Sequence, residues 1–85
     1  METYLYKVSK LCWAVKNGIK EEPEVFQSVD DACNFLESTG VPDEQIDLAL
    51  INLVANGTSR ARFGGKYGNF LDSDNEKLDG PVGVA

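Results

Sequence analysis

TYLYKVSKLCWAVKNG, residues 3–18, reads two ways, and the choice between them sets the fold. Leu5, Val8, Cys12 and Val15 recur at i, i+3, i+7 and i+10, the spacing of one helix face. Yet Tyr4, Tyr6, Val8, Trp13 and Val15 are β-branched or aromatic, the side chains that suit a pleated, half-buried surface. Asn17-Gly18 is the strongest two-residue hairpin signal, and it also suits a helix C-cap. The strand reading over residues 3–16 is preferred. EPEVFQS (22–28) then supplies a second strand, running into Ser28.

From Ser28 onward the signals are clearer. In SVDDACNFLESTG (28–40), Ser28 stands as a cap and Asp31 follows three residues later, a near capping box. Asp30 and Asp31 fill the first turn, where the helix dipole favours negative charge. Val29, Ala32, Cys33 and Leu36 make an apolar stripe with Phe35 beside it, and Gly40 suits the left-handed closing position. PDEQIDLALINLVAN (42–56) repeats the pattern. Pro42 fits the first helical position, Asp43 and Glu44 load the first turn, and Gly57 ends the helix. Its core stripe is read as Ile46, Ala49, Leu50, Leu53 and Val54. The short link predicts an αα-hairpin. Leu48, Ile51 and Ala55 fall off the stripe, so this helix is apolar on more than one side, which points to a sandwiched helix or to a partner.

TSRARFGGKYGNFLDS (58–73) alternates before its glycines: Arg60 out, Ala61 in, Arg62 out, Phe63 in, the period of a half-buried strand. Gly64-Gly65 fits a two-residue turn needing positive φ at both positions. Gly68 marks a bulge or a close backbone approach in the return strand, which Phe70 and Leu71 supply. The expected fold is therefore α+β, a small single domain with an antiparallel sheet in the order β-β-α-α-β-β and an αα-hairpin packed on one face. An N-terminal helix in place of the first strand is the alternative. The domain is expected to span residues 1–74, with 75–85 an acidic, Gly/Pro-containing mobile tail.

At 85 residues the chain holds one domain, too small for a deep cleft between lobes. Fourteen acidic against eight basic residues give a net charge of −6. That balance argues against direct, sequence-independent nucleic-acid binding, which needs clustered Lys and Arg. Two cysteines suffice for neither a disulfide framework nor a four-ligand zinc site, and Cys12 and Cys33 are expected to be reduced core thiols. No apolar run is long enough for a membrane span, no signal peptide is expected at Met1-Glu2, and Asn56-Gly57-Thr58 is expected to stay unglycosylated. A cytoplasmic location is expected.

The chain lacks histidine, and with it the commonest general base and metal ligand. The carboxylate pairs Glu21/Glu22, Asp30/Asp31 and Asp43/Glu44 sit at helix starts or in a loop, where solvent and dipole explain them. Asp72-Ser73-Asp74-Asn75-Glu76 alternates acids as a calcium loop does, but Lys77 stands where the loop's glycine belongs. The reading is a non-enzyme with no cofactor and no metal.

Two surfaces carry what function the sequence offers. Arg60 and Arg62 project from one strand face, roughly 7 Å apart, with Lys66, Tyr67 and Asn69 near the hairpin tip. They are either strand-face charges paired with acidic neighbours or a recognition patch for a carboxylate or phosphate. With Leu48 and Ile51 they form the expected partner-binding set. The alternative surface is acidic: Glu21, Glu22 and Glu24, then Asp30, Asp31, Glu37, Asp43, Glu44 and Asp47. Sharing one face, these would present spaced negative charge like a nucleic-acid backbone.

In size and composition the chain is similar to the small acidic proteins with which bacteriophages inhibit host machinery, a likeness that names no target. The expected function is non-enzymatic docking on, and inhibition of, a larger protein, without membrane or direct nucleic-acid contact. The alternatives are a nucleic-acid mimic that blocks a DNA- or RNA-binding protein, and a small homo-oligomer that binds a nucleotide on Arg60, Arg62 and Lys66.

Overall fold

The computed structural model of the protein describes residues 2–18 and 22–78. Residues 3–17 form two strands where one was expected: β1 (Thr3–Ser9) and β2 (Cys12–Asn17). The turn between them, Lys10-Leu11, has no glycine, asparagine or proline to announce it, and neither residue takes a positive φ. Two local devices close it. The Ser9 hydroxyl accepts the Leu11 N–H at 3.3 Å. Val8 is an extra residue between the pairs Lys7↔Trp13 and Ser9↔Cys12, a bulge whose added twist lets an ordinary turn join the strands. The apparent helical stripe is thereby dispersed. Leu5 and Val15 face each other in the core, Val8 is the bulge, and Cys12 lies on the opposite sheet face.

Gly18 turns the chain away from the end of β2 with φ of 81°, and its N–H donates to the Glu2 carbonyl at 2.8 Å. The short β3 (Glu24–Phe26) then pairs with β2 and leads to the helices. In α1 (Val29–Ser38) the Ser28 hydroxyl accepts the Asp31 N–H at 3.1 Å, as the capping pattern predicts. Gly40 closes the helix at φ 101°, and the Val41 N–H returns to the Leu36 carbonyl at 3.1 Å. α2 (Asp43–Ala55) starts one residue later than expected, with Pro42 as its N-cap. Its buried residues are Ile46, Ala49 and Leu53. Val54, expected in the core, is 63% exposed. A step of about 100° per residue carries it from Leu53 round to the helix flank.

β4 (Arg60–Gly64) and β5 (Asn69–Asp74) complete an all-antiparallel sheet in the order β3-β2-β1-β4-β5. Their connection also differs from expectation. Gly64 stays in the strand opposite Asn69, and the turn is the four residues Gly65–Gly68, with positive φ at Gly65 (79°) and Gly68 (68°) only. Gly68 is the close backbone approach anticipated for it. A Cβ there would sit 3.2 Å from the Val41 Cα and 3.4 Å from the Gly40 carbonyl oxygen, so the hairpin tip rests on the link between the helices.

The fold is α+β, with both helices on one face of a single sheet. Leu5, Trp13, Val15, Ala61 and Phe63 rise from the sheet to meet Ala32, Leu36, Ile46, Ala49 and Leu53. Leu5, Leu36, Leu53 and Phe63 are fully buried, each stabilising the fold by about 1.5–3 kcal/mol. α1 lies over β2 and β3, α2 over β4 and β5, and the helices barely touch each other. That spacing leaves a groove between them. Beyond β5 the chain stays tied to the sheet at least as far as Glu76, whose carbonyl accepts the Ser59 hydroxyl at 3.2 Å. Of the tail expected to be mobile, 75–85, residues 79–85 lie outside the described residues.

Candidate functional site

The residues expected to bind a partner lie on two opposite faces. Arg60 and Arg62 stand on the sheet face turned away from the helices, in cross-strand rows with Tyr6 and Asp74 and with Tyr4 and Asp72. The β4–β5 register brings acids directly beside them. Arg60 Nη2 donates to Asp74 Oδ2, Nη1 lies 2.6 Å from Glu76 Oε2, and its guanidinium carbon is 5.2 Å from the centre of the Tyr4 ring. Arg62 holds Asp72 with two bonds, Nε to Oδ1 at 3.0 Å and Nη2 to Oδ2 at 2.6 Å, and Nη1 reaches Glu2 Oε1 at 3.2 Å. Burial opposes the Arg60 charge, but hydrogen bonds to Asp74 and Tyr6 and the charges of Asp74 and Glu76 hold its pKa above the usual arginine value. Hydrogen bonding to Asp72 does the same for Arg62. Each guanidinium is thus engaged by two carboxylates, and an incoming anion must displace them. Lys66 and Tyr67 stand apart at the exposed tip, the ammonium 5.5 Å from the ring centre, with Asn69 exposed at the start of β5.

The helical layer is the electrostatic opposite. α1 and α2 carry six carboxylates and no Lys or Arg. The rest of the chain has eight acidic and eight basic residues, so the whole net charge of −6 resides on the two helices. Four of the six acids, Asp30, Glu37, Asp43 and Asp47, line the inter-helix groove of about 560 Å³, whose floor is Cys33, Ile46 and Leu50. Their crowding is felt chemically. A hydrogen bond with Asp43, reinforced by its charge, raises the Glu37 pKa. Burial, and then the charges of Asp30, Glu37, Asp47 and Asp43, push the Cys33 thiol up to about 11. α2 also exposes Leu48 (47%), Ile51 (59%) and Val54 (63%), none of which lines the groove.

The acidic set is only partly gathered. Asp31 and Glu44 are exposed on the same helices without lining the groove. Glu24 is in the edge strand β3 and Glu22 just before it, and Glu21 lies outside the described residues. Cys33, expected in the core with Cys12, is a half-buried groove residue, while Cys12 is buried. The sequence held the signal for this, since Asp30 and Glu37, at i−3 and i+4 from Cys33, share its flank. Val54 is the exposed residue that stripe-counting missed.

Among the described residues, no group of three or more cysteines and carboxylates is placed to hold a metal ion. No described helix is long and apolar enough to cross a membrane. The chain matches no protein-family model, no curated protein and no solved structure.

Proposed function

We propose that this chain is a non-enzymatic docking protein whose helical layer covers a cationic surface on a larger protein and thereby inhibits it. One observation carries the reading: the entire net charge sits on α1 and α2, and α2 also exposes Leu48, Ile51 and Val54. Apolar side chains on a layer of uncompensated charge of one sign suit a partner that offers apolar contact and charge of the other sign. The arginine face supports a recognition role less well, because its cations are already engaged by four carboxylates. Where the covered surface normally grips DNA or RNA, the spaced carboxylates of the helices compete for it as a mimic.

The test is capture of a protein from nuclease-treated lysate by the full chain and by three variants. Capture should be lost with Ile51→Asp, weakened by Asp43→Asn with Asp47→Asn, and kept with Arg62→Ala. Capture indifferent to the helical substitutions, yet lost with Arg62→Ala, would move the docking site to the sheet face and overturn the reading. Release of bound DNA or RNA from the captured protein would single out the mimic form.

A further inference from the structure

The groove also specifies what kind of chain would fill it. Both of its walls are helices, whose backbone groups are already bonded within the helix. A segment entering the groove finds no sheet edge to pair with, so it must satisfy its own amides, and a helix does this. The lined stretches of the two walls, Asp30 to Glu37 and Asp43 to Leu50, are each about 12 Å long at 1.5 Å per residue, room for about two turns of an occupant. Cys33, Ile46 and Leu50 form an apolar floor, and exposed Val54, one turn on from Leu50 at i+4, stands just beyond it on the same flank of α2. Carboxylates stand on both sides, from Asp30 and Glu37 on α1 and from Asp43 and Asp47 on α2.

We propose that the groove between α1 and α2 receives a basic amphipathic helix of another protein. The proposal rests on the docking reading and names the partner's chemistry. Leucine-like residues at i, i+3, i+4 and i+7 of the incoming helix lie on the floor and on Val54, and its flanking Lys or Arg residues meet the two acidic walls. A second copy of this chain is disfavoured as the occupant, since it would bring two layers of six carboxylates together.

Two synthetic 18-residue peptides of identical Leu/Lys composition test it on the full chain, one with its leucines on one helix face and one scrambled. By titration calorimetry the amphipathic peptide should bind at least tenfold more tightly than its isomer. Amide shifts in its NMR titration should centre on Cys33, Asn34, Leu50 and Val54, and Val54→Asp should cost about tenfold in affinity. Val54 is exposed, so the unfolding midpoint of that variant should stay near the wild-type value. Equal affinities for the two peptides, shifts centred on the sheet face, or a self-association of the chain that Val54→Asp abolishes would each overturn the proposal. If the peptides fail while lysate capture still depends on Ile51, the docking reading stands and only the helical occupant falls. If capture is also indifferent to Ile51, both fall.

Discussion

Gly65 and Gly68 share a turn and a left-handed backbone, yet they do different work. Around Gly65 a new Cβ meets nothing within 4 Å, whereas at Gly68 it meets the backbone of Val41 and Gly40. Gly65→Ala should therefore cost only the left-handed penalty, about 1 kcal/mol. Gly68→Ala should cost about 2–3 kcal/mol, because a backbone, not a side-chain end, must move. Urea unfolding of both variants, with unchanged slope, measures the difference. Equal losses would mean that the hairpin tip does not rest on the helix link. The arginines give the same lesson about single residues. Their presence on one strand face is readable from alternation, but their partners are not. Asp72 and Asp74 are set opposite them by a register that includes a bulge between Phe70 and Asp72, and Glu2 comes from the other end of the chain.

At the scale of elements, α1 is the most self-contained. Ser28 caps it, Gly40 ends it, and Ala32 and Leu36 define its buried side. Ser28→Ala should lower stability by about 1 kcal/mol, a fall of roughly 4–8 °C in the thermal midpoint for a domain of this size. No change would show that the hydroxyl at 3.1 Å adds nothing beyond what water supplies. Such elements were legible because start, stop and face are all written locally. The β1–β2 hairpin was not, because its turn depends on a serine hydroxyl and a bulge, and its register on the pairing of Leu5 with Val15. The candidate surface divides the same way. Leu48, Ile51 and the carboxylates were visible one by one. Which of them share a face, and that Arg60 and Arg62 lie on the opposite one, follows only from how α2 settles on β4 and β5.

For the molecule as a whole, the decisive property is that charge is segregated by layer. Where the helices meet, Glu37 hydrogen-bonds Asp43 and feels its charge. Its folded-state pKa is raised, so its contribution to stability is fully present below the ordinary glutamate value and is lost as pH rises through the folded value. Glu37→Gln should therefore unfold at a higher temperature than wild type at pH 7, with the gap closing as pH falls through the carboxylate range. A gap that is constant with pH would mean that Asp43 does not raise the Glu37 pKa.

The same segregation has a kinetic consequence. One layer carries six like charges and the remainder balances to zero, so the protein behaves as a strong electric dipole. A cationic target exerts a torque on it from beyond contact distance and rotates the helices forward before collision. Encounters are then productive more often than random tumbling allows. Association should exceed the 10⁵–10⁶ M⁻¹s⁻¹ usual for unsteered partners and slow steeply with added salt. On the proposed docking, the dissociation rate would be set by apolar contacts such as Val54 and should respond far less.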